Sequence, residues 1–162
     1  MENKNLWAPW RSEYVGAAKE EGCFLCRAFA EPENPERLVV RMGGRAFVVM
    51  NRFPYSTGHV MVAPVRHTGR LEDLSPEEVS EIFSLALAAK EALAELYRPH
   101  GYNLGFNIGK AAGAGLIDHL HLHVVPRWEG DTNFMPVLSE VRVMPHHLEK
   151  IRTDLLGLLG NF

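Results

Sequence analysis

At 162 residues the chain is long enough to bury a core and suits one compact domain spanning 1–162. Hydrophobic residues make up 46% and charged residues 23%, ordinary values for a soluble globular protein. The net charge of -3 and a sequence pI near 6.2 argue against a general nucleic-acid binder, which would carry a large basic excess.

The opening stretch MENKNLWAPW has neither a charged leader with an apolar core nor a small-residue cleavage site. No signal peptide is expected from it. No apolar run approaches the roughly 18 residues that suggest a membrane span, so a cytoplasmic protein without a membrane partner is the expectation. Residues 1–36 read as an irregular N-terminal segment that contains Cys23 and Cys26 and closes on Pro32 and Pro35. Three short β-rich runs follow, at 38–41, 46–50 and 59–63. Gly43-Gly44 and the stretch 54–58 separate them as turns, so they predict an antiparallel meander.

Ser75, Pro76 and Glu78 form a capping-box start with proline at the first helical position. Val79, Ile82, Phe83, Ala86, Lys90, Leu93 and Leu96 or Tyr97 then step at three or four residues, predicting a long helix with an inward stripe that Lys90 interrupts. Pro99 and Gly101 end it near residue 98. Glu77, Glu78 and Glu81 read as an exposed face of this helix. A fourth strand is expected at 102–108 and a fifth at 119–126, joined by the small-residue loop 109–115. A last helix after Pro145 would use Leu148, Ile151, Leu155 and Leu158, with His146 and His147 solvated at its start. Strands in a hairpin array with helices set to one side imply an α+β domain: a five-stranded antiparallel sheet with a long packed helix. Residues 37–127 form its core and 128–162 a C-terminal extension with the last helix.

The run His119-Leu120-His121-Leu122-His123-Val124-Val125-Pro126-Arg127 carries most of the chemical information. On a strand, side chains two apart share a face, so the imidazoles point one way at about 6.6 Å spacing while Leu120, Leu122 and Val124 enter the apolar layer. Three readings compete: structural or exposed histidines, a metal site built from alternate histidines, and nucleophilic catalysis. A neutral imidazole attacks phosphorus well if its other nitrogen is held as N–H by an acceptor and donors stabilise the phosphoryl oxygens. His121, flanked on both sides, is the best-placed nucleophile. Cys23 and Cys26 are too few for a disulfide framework. They read as a redox pair, a buried apolar pair, or half of a tetrahedral zinc site, and the redox use lacks its customary βαβ setting.

Residues 119–125 fit the motif His-φ-His-φ-His-φ-φ, and Pro126-Arg127 continues it. Asn51-Arg52-Phe53-Pro54 through Gly58-His59-Val60-Met61-Val62-Ala63-Pro64 matches a second half, and Asn107 with Gly109 a phosphate-side loop. The chain therefore resembles the histidine-triad family from about residue 38 to 127. Its ends, Asn5 to Arg11 and Trp128 with Gly130 to Phe134, resemble a bacterial subgroup linked to diadenosine tetraphosphate breakdown.

The resemblance implies roles. His121 would take the nucleoside monophosphate, and His123 would donate to the phosphoryl oxygens. His59 would join the cluster, and His119 would be either a phosphate contact or a metal ligand. Asn51 would bind the ribose hydroxyls. Asn107, Gly109 and the amides near Gly115 would hold phosphates, as an anion nest does, although Gly113 and Gly115 alone would read as a flexible loop. Trp128 and Phe134 would cover the base or pack. Zinc-containing members and the related galactose-phosphate uridylyltransferases imply that Cys23, Cys26, His67 and His119 form a closed structural zinc site. Magnesium would come only with substrate phosphates. A homodimer is expected, its sheets joined across a two-fold.

One departure bears on the reaction. Many hydrolytic members carry glutamine four residues before the first triad histidine, where this chain has Gly115. That favours inorganic phosphate over water as acceptor and a phosphorylase giving ADP and ATP. A hydrolase of dinucleoside polyphosphates or nucleoside phosphoramidates is the alternative, and a non-catalytic nucleotide-binding or zinc-binding module remains as a reading from another class.

Overall fold

The structure, a computed structural model, describes residues 22–131 and 146–160. Five strands, β1 (Val39–Met42), β2 (Ala46–Met50), β3 (Val60–Pro64), β4 (Gly101–Phe106) and β5 (Leu122–Arg127), form one sheet. Their order is β1-β2-β3-β5-β4, and every neighbouring pair is antiparallel. Among the described residues the helices are α1 (Phe24–Ala30), α2 (Pro76–Tyr97) and α3 (Leu148–Leu159). This is the α+β arrangement that the strand pattern predicts. No helix of the described residues is long and apolar enough to cross a membrane.

Period-two alternation divides the sheet into two faces. Val48, Met50, Val60, Val62, Leu122 and Val124 pack against Ile82, Ala86, Ala89 and Leu93 of α2 and against Ile151 and Leu155 of α3. On the other face Val39, Phe47, Val49, Met61 and Ala63 pack against Leu25 and Ala28 of α1. Met61 is paired with His123, which places the histidines on this second face.

Ser75 caps α2 in a capping box with Glu78, as its sequence predicts. The buried stripe differs from the expected one. Val79 and Phe83 are exposed, and the helix rests instead on Ile82, Ala86, Ala89, Ala92 and Leu93. Three alanines bring the axis close to the sheet, so the helix turns its small face inward and leaves larger side chains out. Lys90 lies at the border, its ammonium 5.5 Å from the centre of the Tyr102 ring. Glu78 is buried rather than exposed. Its carboxylate is 2.7 Å from Arg66 and also accepts the Ser75 N–H.

Two further expectations need correction. Residues 24–30 are helical, although their seven residues lack a side-chain N-cap and an extended apolar repeat. So short a helix is marginal alone and forms here because Leu25 and Ala28 are buried on the sheet. The fifth strand begins at Leu122, not at His119. Pairing with β3 ends at Val62↔Leu122, and upstream the chain leaves the ladder, the Leu120 N–H turning to the Thr68 carbonyl at 2.7 Å.

Candidate functional site

His119, His121 and His123 keep the alternation expected of them but serve different groups. His121 and His123 have ring centroids 4.9 Å apart, and His59, the last residue of the turn before β3, lies 5.1 Å from His123. His119 instead joins His67 at 5.1 Å, against the two cysteines. All four of His59, His119, His121 and His123 are buried.

The hydrogen-bond partners assign the tautomers. His121 Nδ1 is 2.9 Å from the His119 carbonyl oxygen, which only accepts, so Nδ1 carries the proton and Nε2 keeps its lone pair. His59 Nδ1 accepts from the Tyr55 N–H at 3.0 Å, with the Asn51 amide at 3.4 Å. His59 Nε2–H therefore donates to His123 Nδ1 at 2.9 Å, which leaves His123 with its proton on Nε2. The Asn107 amide nitrogen is placed 3.5 Å from that nitrogen, and turning the amide over presents its carbonyl oxygen as the acceptor this tautomer needs. One ring thus offers a bare nitrogen beside another that offers N–H. Burial holds the His121 pKa below the usual imidazole value, against the Nδ1–H bond to the His119 carbonyl. Burial and then the His121 ring push His123 down to about 4. Both rings are neutral at neutral pH, as a nitrogen nucleophile requires.

The turn between β2 and β3 positions this group. Gly58 adopts φ +76, and a Cβ there would overlap Leu93, so glycine is required on both counts. The Ser56 hydroxyl donates to the Pro126 carbonyl at 2.5 Å, tying the turn to β5. Asn51 Oδ1 accepts the Phe53 N–H at 2.9 Å. Tyr55, not singled out from sequence, has its ring stacked on His123 at 5.7 Å and 23°. Its only sequence signal is an aromatic residue inside the turn that precedes His59.

Cys23, Cys26, His67 and His119 bring their ligand atoms within 4.8 Å of one another. A tetrahedral zinc with bonds near 2.3 Å to sulfur and 2.0–2.1 Å to nitrogen has S–N edges of about 3.6 Å. The S–N separations here are 3.3 Å for Cys23–His119, 3.2 Å for Cys26–His67 and 3.5 Å for Cys26–His119. His119 Nε2–H donates to the Pro64 carbonyl at 2.8 Å, so its bare Nδ1 faces the sulfurs. Both cysteines are free thiols, and burial first and Cys23 second raise the Cys26 pKa. These residues fit a metal ion. Gly69 holds the loop that carries His67, since a Cβ there would overlap the Ile117 carbonyl and crowd Asp118.

Gly109 has φ +80 and opens a 3-10 turn at Lys110–Ala112, where Ala112 and Ala114 donate back to its carbonyl. Gly115 is exposed, and a Cβ there would meet nothing within 4 Å. Trp128 lies just beyond the end of β5, with its indole N–H 3.4 Å from the Tyr97 carbonyl. Phe134 and the motif at Asn5 to Arg11 lie outside the described residues.

A sheet that carries alternate histidines leading into its fifth strand, with a further histidine from the turn that opens β3, defines the histidine-triad architecture. The family model described as HIT domain matches residues 31–130, and the chain belongs to that family. A relative from Mycobacterium tuberculosis named "AP-4-A phosphorylase" is 38% identical over 157 residues, covering 92% of this chain and 80% of that protein. An asymmetrical bis(5'-nucleosyl)-tetraphosphatase from Schizosaccharomyces pombe is 33% identical over 118 residues, 72% of this chain and 60% of its own length. Among solved structures, a Zn-bound histidine triad family protein from Mycobacterium smegmatis matches with a TM-score of 0.67 at 28% identity. It covers 85% of this chain and 93% of its own.

Proposed function

We propose that the protein cleaves dinucleoside polyphosphates, diadenosine tetraphosphate first among them, through a nucleotidyl-histidine intermediate on His121. The observation that carries this reading is the His121 Nδ1–H bond to the His119 carbonyl, which leaves Nε2 as a neutral nucleophile. The names of the relatives from M. tuberculosis and S. pombe support the substrate class.

His121 Nε2 attacks the phosphorus next to one adenosine. A P–N bond forms as the P–O bond to the outgoing ATP breaks, and His123 Nε2–H stabilises the phosphoryl oxygens and the leaving oxygen. Inorganic phosphate then attacks the same phosphorus, restores the imidazole and leaves as ADP. Asn51 contacts the ribose hydroxyls, and Asn107 with the amides of the 109–115 loop holds phosphates. The open space at Gly115 supports phosphate rather than water as acceptor. Magnesium enters only with the substrate's polyphosphate.

Cys23, Cys26, His67 and His119 are read as zinc ligands, supported by the cluster's distances and by the Zn-bound relative. A closed four-ligand zinc supplies structure by pinning α1 to the sheet. The assembly is read as a homodimer whose sheets join at β4, one of the two edge strands among those described, where Leu104 is exposed. Base covering by Trp128 goes with that dimer. Cysteines that serve as metal ligands and form no disulfide fit a reducing cytoplasm.

Product analysis with diadenosine tetraphosphate, with and without phosphate, tests the reading. ADP and ATP should form only with phosphate, and His121→Asn should abolish turnover with the fold retained. Near-normal activity of that variant sinks the nucleophile. AMP and ATP formed without phosphate would make the enzyme a hydrolase. Gly115→Gln should move product from ADP towards AMP.

A further inference from the structure

The ring and the main chain of His119 face two different groups. Its imidazole is engaged at both nitrogens, Nε2–H on the Pro64 carbonyl at 2.8 Å and Nδ1 toward Cys23 at 3.3 Å and Cys26 at 3.5 Å. Its carbonyl oxygen takes the His121 Nδ1–H at 2.9 Å. His119 precedes β5, whose pairing with β3 ends at Leu122, so the strand ladder does not hold this carbonyl. What locates it is the anchored His119 ring and the Leu120 N–H bond to Thr68.

The two tautomers of a neutral imidazole differ little in energy unless a partner selects one. If the His119 carbonyl drifts, His121 can place its proton on Nε2, and that form has no lone pair aimed at phosphorus. We propose that His119 is a positioning residue through which the Cys23–Cys26–His67 group governs the tautomer and aim of His121. A metal held there acts on the nucleophile without touching substrate, and it does so through one residue, with its ring as ligand and its carbonyl as acceptor. This proposal rests on the reading of His121 as nucleophile.

The test uses the full chain, stripped of metal by a chelator and then reloaded with zinc, with folding followed by circular dichroism. Long-range 1H–15N correlation at fixed pH reads which ring nitrogen of His121 carries the proton, and kcat and KM are measured on the same samples. The loaded protein should show a single Nδ1–H form. The stripped protein should show exchange between both forms and a kcat lower by about tenfold or more, with KM changed by no more than about twofold. Zinc should restore both. An unchanged single form in stripped, folded protein overturns the proposal.

If stripping unfolds the chain, zinc-loaded and cadmium-loaded protein are compared, because cadmium makes longer bonds to the same ligands. The His121 ring resonances should then move while those of exposed His100 stay; unmoved His121 resonances overturn the proposal. The two readings can fail separately. Metal-sensitive tautomers in a protein that never adenylylates His121 would sink the proposed function alone. An adenylylated His121 indifferent to the metal would sink the coupling alone.

Discussion

His59 Nε2 lies 2.9 Å from His123 Nδ1, and the Tyr55 main-chain N–H behind His59 determines which way that bond points. A backbone amide has one permanent proton, so it acts as a fixed reference for the tautomers of two rings in series. On the proposed mechanism, His59→Leu should lower kcat by about a hundredfold with little change in KM. His59→Gln, whose amide N–H can still donate to His123, should keep much more of it. Steady-state kinetics on the pair decide the matter, and equal loss in both variants would count against the relay.

The Gly69 contact makes a prediction about the cysteine–histidine cluster. Gly69→Ala forces apart the loop carrying His67 and the segment leading to His119, because the methyl would strike the Ile117 carbonyl. A stability loss of about 1–3 kcal/mol is expected from such overpacking, together with weaker zinc binding in competition with a chromogenic chelator. Unchanged affinity would show that the loop can yield without disturbing the ligands.

Glu78 gives a pH dependence with a definite sign. Its hydrogen bonds from Arg66, then from the Ser75 N–H, lower its pKa from 4.5 to about 2. The native state holds this carboxylate ionised where the unfolded chain would protonate it. The contribution is therefore complete above the ordinary carboxylate range and is lost as pH falls towards 2. Wild type should melt about 2–4 °C above Glu78→Gln at neutral pH. The gap should close as pH drops below 4.5. A gap that is the same at neutral and acid pH would mean that the ion pair is not its source.

Much of the fold was legible because it depends on local rules. The capping box at Ser75 and Glu78 starts α2 at Pro76, where the sequence predicts, and the alternation after 119 puts Leu122 and Val124 on the helix-covered face and His123 on the other. The inward face of α2 was misread because Phe83 and Val79 outweigh alanine in any hydrophobic pattern, while close approach to a sheet favours the alanines. Helix α1 was missed because its stability comes from residues distant in sequence, Phe47 and Met61 among them. Within the candidate site, Tyr55 contributes through its main chain and ring position, and no residue-type pattern encodes a backbone donor. The division of labour between His119 and His121 depends on where the ladder of β5 stops, which spacing alone does not reveal.

Gly115 stands in open space with an ordinary backbone angle, and no packing or φ requirement keeps it glycine. Most substitutions there should therefore be neutral for folding and visible only in the reaction. On the proposed mechanism, whether the cleaved bond's free energy is kept in a nucleoside diphosphate or released to water hangs on one residue whose packing leaves it free to vary. The scaffold needs no compensating change, so phosphate-using and water-using descendants can arise from one ancestor without passing through an unstable intermediate.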